Sequence, residues 1–534
     1  MKWILTLLIS CSALCFLQSQ DWKSYPYEPS GQIAFPVDEG RHIAEPIEWW
    51  YTAGHLVGQT TGTNYSYMFT FFHYPQAGFD GFRILNITND DTGEFFQDVL
   101  PLNYTKLSTI GFDVEASIFS AGTEYWRNKK DMDNNPVPFE YELLALNGSG
   151  GLNLEIETLK RPLILGDDGF LNQGLANYTY YFSQTMNAIT GILTFNGSTE
   201  NVVGTGWIDR QYGDFNPLTG EKYEWFSMQL SNGMDINLWN IFTADRLIPD
   251  NEEYRILSAY VDEGTQYTTS DFEIERLQFF CTPDNEMCYS KQWQLTSTQN
   301  NIDLTISTLH TTTEVQLPFR FFEGATVVSG TVNGVSVTGI GFAELLHDYE
   351  DPDISLTSPT GGVYDTSMPI QWNLNNPDDG CNIFYDLEYS IDNQANFLPI
   401  VSDISETSYL WNNPPISEND EIWFRITAHS IDGVLSSIVT SDASSSATLS
   451  SLETYTNFFK VYPNPVKDIL NISFSNTISE VKLQVFNLEG RLIKESIVNE
   501  SIELILDVSD LNQGLYFINA TSDHNQQTMK FVKR

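Results

Sequence analysis

From about residue 45 onward the chain alternates apolar and polar residues with a period of two, in runs rich in β-branched and aromatic side chains. The runs are cut by Asn-Gly turns, as in Phe195-Asn196-Gly197, Ser231-Asn232-Gly233 and Val332-Asn333-Gly334. Successive side chains of a strand point to opposite faces, so a period of two builds sheets, and an Asn-Gly pair between such runs closes a hairpin. No stretch carries the 3.6-residue apolar period of a useful amphipathic helix. The pattern therefore predicts an all-β chain. Its 534 residues suffice for three or four domains, and 34 Phe, 26 Tyr and 12 Trp can fill large cores.

The two ends carry addresses. Residues 1–19 read as a signal peptide: Lys2 supplies the positive start, Ile4 to Leu17 the apolar core, and Leu17-Gln18-Ser19 a cleavage site. That core falls short of the ~20 residues that cross a bilayer, and no later stretch approaches them, so no transmembrane segment is expected in the mature chain. At the other end stand Val461-Tyr462-Pro463-Asn464-Pro465, then Val481-Lys482-Leu483-Gln484-Val485-Phe486-Asn487-Leu488-Glu489-Gly490-Arg491, then Leu511-Asn512-Gln513-Gly514-Leu515-Tyr516-Phe517 and a basic end. Residues 459–534 resemble the type IX secretion C-terminal sorting domain of Bacteroidetes. The resemblance implies a small β-sandwich read by the type IX secretion machinery, and a protein that is secreted or held on the outer cell surface.

Between these ends, an acidic linker His347-Asp348-Tyr349-Glu350-Asp351-Pro352 separates a long front region from a module over 353–450. That module, with Leu387-Glu388-Tyr389, Tyr409-Leu410-Trp411 and Phe424-Arg425-Ile426, looks like a fibronectin type III or immunoglobulin-like β-sandwich. A Ser- and Ala-rich stretch, Thr440 to Ser451, leads to the tail. Acidic side chains outnumber basic ones 70 to 26, a formal charge of −44, which excludes nucleic acid as a partner. Cys11 and Cys15 leave with the signal. Cys281 and Cys288 flank a Pro-Asp-Asn turn and are expected to form a disulfide, while Cys381 is left as a lone buried thiol. No His/Cys spacing suggests a metal, and no nucleotide fingerprint suggests a cofactor, so none is expected.

The front region carries four clusters. They are Pro46-Ile47-Glu48-Trp49-Trp50-Tyr51-Thr52-Ala53-Gly54-His55, Gly206-Trp207-Ile208-Asp209-Arg210-Gln211-Tyr212-Gly213, Tyr223-Glu224-Trp225-Phe226-Ser227, and Phe322-Glu323-Gly324-Ala325 leading to Gly341-Phe342-Ala343-Glu344-Leu345. Taken together they resemble the AttH-like and carotenoid-hydratase (hydroxyneurosporene synthase) family. The resemblance implies two tandem lipocalin-like β-barrels, here 20–215 and 216–350, with a ligand cavity in or between them.

Strand alternation sorts the side chains. Glu48, Trp50 and Thr52 share one face, and Trp49, Tyr51 and Ala53 the other; Trp207 and Asp209 share a face, and Arg210 and Tyr212 lie opposite. An eight-stranded barrel not filled by its own side chains can enclose one small ligand. The expected wall includes Trp49, Trp50, Tyr51, His55, Trp207, Arg210, Tyr212, Trp225 and Trp239. The expected function is binding of a hydrophobic small molecule (a lipid, terpenoid or polyene) in a barrel cavity. Two alternatives stand beside it. One is a hydratase, isomerase or cyclase acting by acid catalysis on such a ligand. The other is a surface adhesion or glycan-binding role. A carboxylic acid in an apolar pocket can stay protonated near neutrality, which makes Asp209 and Glu48 the candidate acids. One departure weakens the enzyme reading. Where hydratases of the family carry histidine after the strand aspartate, this chain has Arg210, which cannot deliver a proton.

Overall fold

The computed structural model describes residues 22–534 apart from 77, 120, 216–218, 317–318, 365–366, 413, 416–420, 447–458 and 523–525. The signal sequence lies outside the described residues. The chain forms two compact units, up to Ser445 and from Ser446 to Arg534. Strands dominate, and one short 3₁₀ turn, Val37–Glu39, precedes the first of them.

Ten antiparallel strands close into a barrel. Starting from Asn177–Phe195 they run through Ser198–Asp214, Ile47–Gly58, Asn64–Gln76, Phe79–Asn89, Glu94–Leu107, Asp113–Ile118, Gly122–Lys130, Pro136–Asn147 and Gly150–Thr158, which pairs back onto Asn177–Phe195. The expectation of a cavity inside the barrel is corrected. Trp50, Phe69, Phe71, Trp126, Tyr141, Leu143 and Leu154 all point inward and meet as one buried cluster, so packed rings fill the interior. Seam closure depends on the long strand Asn177–Phe195, whose register shifts between Gln184 and Asn187. Its second half joins Gly150–Thr158, while its first half peels away carrying Tyr181 and Ser183.

A second sheet follows in the order Thr265–Thr269, Arg255–Asp262, Asp235–Phe242, Lys222–Leu230, Val335–Leu345, Phe321–Val332, Ile302–Thr308, Cys288–Ser297 and Glu273–Cys281. Its end strands do not pair among the described residues, so it is a curled half-barrel rather than a closed one. The strand Asp235–Phe242 is buried at every position. The cause is that both faces are covered. Ile236 and Leu238 enter the sheet's own core with Phe226 and Trp293. Trp239 and Ile241 turn outward and meet Tyr51, Met68 and Ile84 from the outer face of the ten-stranded barrel. This third cluster, between the two sheets, is where the front region differs from two independent barrels.

Cys281 and Cys288 face one another across a hairpin and form a disulfide. Cys381 is a free thiol, pushed up to about 12 by burial and then by Asp379, so it is inert as a nucleophile. From Ile354 the chain builds a two-sheet module around Ile370, Trp372, Tyr385, Leu387, Phe424 and Ile426. It rests on the half-barrel through Leu435, packed with Phe279 and Tyr349, and through Asp432, which accepts the Phe279 amide at 2.7 Å. In the second unit, five strands wrap a core that includes Val481, Leu483 and Val485, the alternating positions of its motif.

Candidate functional site

Cross-strand registers set two rows of side chains against each other. On the barrel's outer face, Ile84, Thr70, Tyr51, Asp209 and Ser183 occupy opposing positions on five successive strands. On the half-barrel, Trp239, Trp225, Glu344 and Glu323 do the same across four. Directly opposed residues of a ladder share a face, so each row presents its side chains to the gap. The gap holds a cavity of about 540 Å³, walled by Trp49, Tyr51, Phe72, Phe82, Trp225, Trp239 and their neighbours. That size suits a drug-sized ligand, and a mostly aromatic wall with a few polar groups is the usual composition of such sites. A groove of about 810 Å³ runs past Asp250, Glu253, Asp271 and Glu273, but it gathers no comparable set of aromatic side chains.

Three carboxyls, Asp209, Glu323 and Glu344, belong to the two facing rows. Asp209 accepts hydrogen bonds from Tyr181 at 2.6 Å, Ser183 at 2.5 Å and the Trp207 indole at 2.7 Å. Asn237 of the half-barrel locks this group. Its amide donates to Tyr181 at 2.8 Å and Ser183 at 3.1 Å, and its oxygen accepts from Trp225 at 3.2 Å. Burial penalises the Asp209 charge, while the three donors favour it; burial wins, and the carboxyl is pushed up to about 7. Glu323 and Glu344 lie directly opposite one another. Tyr51 donates to Glu323 at 2.9 Å, and Tyr223 donates to Glu344. Burial, then each other's proximity, holds Glu323 well above the ordinary carboxyl range; burial also raises Glu344.

The predicted residues divide between two places. Trp49, Tyr51, Asp209, Trp225 and Trp239 line the cavity, and Trp207 orients Asp209. Trp50, Glu48, Arg210 and Tyr212 do not line it; alternation turns them to the barrel's other face. There Arg210 lies 4.0 Å above the Trp50 ring, donates to Glu48 at 2.6 Å and reaches the backbone oxygens of Glu39 and Trp49. Burial alone would raise Glu48, but the Arg210 and Arg41 guanidiniums and His42 outweigh it and hold the carboxyl down to about 2. Glu48 is therefore an ionised structural partner, and its expected role as an acid is corrected. The same geometry spares Asp209, because Arg210 stands on the far side of the strand. His55 is also outside the wall. It packs on Phe342, 3.3 Å from the Gly341 carbonyl oxygen, and burial lowers it to about 4. Glu323 and Glu344 belong to the fourth sequence cluster but had no role there. The signal was present: each is the one charged residue of its strand. Tyr181 and Tyr223 carried no such signal.

Residues 26–349 match the family model described as AttH-like. The chain belongs to the AttH-like family. A solved AttH-type structure from Nitrosomonas europaea, 20% identical, superposes over 60% of this chain and 99% of its own with a TM-score of 0.50, showing the same fold. Kievitone hydratase from Nectria haematococca, 16% identical, covers 61% of this chain and 98% of its own with a TM-score of 0.48. Residues 460–534 match the secretion-system C-terminal sorting domain, so this AttH-like protein is exported, to the outer surface or beyond it. No helix among the described residues is long and apolar enough to cross a membrane. Ulvan lyase NLR42 of Nonlabens ulvanivorans is 42% identical over 66 residues, which is 12% of this chain and 12% of that protein.

Proposed function

We propose that this exported AttH-like protein binds a hydrophobic small molecule between its two front sheets. The observation that carries the reading is the aromatic-walled cavity of about 540 Å³ formed where the outer face of the closed barrel meets the half-barrel. Buried polar atoms at its rim support it. Thr70 Oγ1, Gln173 Nε2 and Gln211 Oε1 have no hydrogen-bond partner among the described residues, although folded proteins seldom leave such groups unmet. A ligand with an apolar body and a polar group meets both needs. The test is calorimetric titration with dodecanol, a neutral amphiphile, of the full chain and of Ile84→Trp, which fills the cavity from the barrel side. Saturable binding lost in Ile84→Trp is expected; no binding, or binding indifferent to that substitution, refutes the reading.

Asp209 favours one further reading, acid catalysis on an unsaturated ligand. A buried carboxyl raised to about 7 and set in a cavity wall is half protonated at neutral pH and can deliver a proton to a bound alkene. Uptake of deuterium from heavy water into a recovered terpenoid, abolished in Asp209→Asn, is the result this reading requires.

A further inference from the structure

The charges around the cavity are unbalanced. Asp209, Glu221 and Glu344 stand in its wall with one cation, Lys222. Lys222 is already bound to Asp348. Glu323 stands beside Glu344, 3% exposed. Its Oε2 has no donor among the described side chains other than the facing carboxyl. Two buried carboxyls that face one another cannot both ionise without a partner, so at least one proton sits on the pair until a cation joins it. Buried acids of this kind are destabilising unless something positive joins them. Among the described residues the wall offers no cation besides the paired Lys222, and the aromatic side chains of Trp225, Trp239, Tyr51 and Tyr223 line the same space.

We propose that the cavity selects an amphiphile with a positively charged nitrogen, its ammonium seated against the Glu323–Glu344 pair and its apolar body along the aromatic wall. The inference rests on the binding reading above and names its ligand class. An ammonium supplies what the pair lacks: a charge of opposite sign and an N–H donor for Glu323 Oε2. A fatty acid does the reverse, bringing a further carboxylate to a pocket without a free cation. The hydrophobic guests of this protein are therefore amines rather than acids.

Three probes of equal chain length separate the possibilities: dodecylammonium, dodecanol and dodecanoate, titrated calorimetrically into the full chain below their micelle concentrations. Dodecylammonium is expected to bind about tenfold or more tighter than dodecanol, and dodecanoate weakest. Glu344→Gln and Glu323→Gln keep the shape of a protonated carboxyl and are expected to bring dodecylammonium within about twofold of dodecanol measured on the same variant. Thermal denaturation of both variants confirms that they are folded. General attraction to a chain of net charge −44 is removed by working at about 0.3 M salt, and it would in any case be indifferent to one carboxyl among 70. The proposal is overturned if dodecylammonium binds no tighter than dodecanol, or if its preference survives both glutamine variants. Should dodecanol bind and charge make no difference, binding between the sheets stands and only the ligand class falls. Should none of the three bind, both fall.

Discussion

Replacing Asp209 by asparagine tests the electrostatics of the cavity at one atom. In the folded chain the carboxyl is raised from 3.8 to about 7 by burial, despite three donors. In the unfolded chain it returns to the ordinary value. Between about pH 4 and 7 the native state thus holds a proton that the unfolded state has lost. Stability falls with rising pH wherever the native state binds more protons, at about 1.4 kcal/mol per pH unit for one group. The contribution of the protonated carboxyl is intact below about pH 4 and is lost by about pH 7, a total on the order of 4 kcal/mol. An asparagine in its place cannot ionise and escapes this loss. It brings its own penalty, because its amide would point N–H toward hydroxyls already held in a donating arrangement by Asn237. Asp209→Asn is therefore destabilising near pH 4 by about 1–3 kcal/mol and stabilising, or neutral, near about pH 8. Urea unfolding followed by tryptophan fluorescence at about pH 4.5, 6 and 8 measures both chains. Their difference cancels the other buried acids, such as Glu39, also raised to about 7, and Asp235, raised to about 6. A difference that does not change with pH refutes the claim that Asp209 is buried in a raised state.

Arg210→Met removes one of the two guanidiniums on buried Glu48, leaving Arg41 and His42, and should destabilise the chain by about 1–3 kcal/mol in urea unfolding, with part of the loss recovered in Arg210→Met/Glu48→Gln. Gly341→Ala would place a Cβ 1.8 Å from the Ser227 carbonyl oxygen, on the strand that carries Glu344. It should lower stability by at least about 2 kcal/mol in thermal or urea unfolding and weaken dodecanol binding by shifting the half-barrel wall. Removal of residues 460–534 should keep the protein inside the outer membrane, seen by fractionation and immunoblot; release by the same route would refute the address.

Much of the fold was legible because strand periodicity is a local property. Alternation along Ile47-Glu48-Trp49-Trp50-Tyr51 separates two faces before any partner is known, and the structure keeps that separation: Trp50 goes into the barrel, Trp49 and Tyr51 go out. The same rule put Asp209 with Trp207 and away from Arg210. What alternation could not say is which face was which. It lent Trp50, Arg210 and Tyr212 an equal claim on the ligand, and it offered Glu48 as an acid although a guanidinium holds it ionised.

Strands, hairpins, the pairing of Cys281 with Cys288 across a turn, and the C-terminal address could all be read in one dimension, since each depends on residues close along the chain. Three dimensions were needed to learn that the barrel is filled and that the hollow lies outside it. They were needed, too, to bring Glu323 and Glu344 together and to face them with Tyr51, 272 positions from Glu323 in the chain. Register between distant strands and the docking of one sheet on another depend on contacts between segments hundreds of residues apart, and no local pattern encodes which faces will meet.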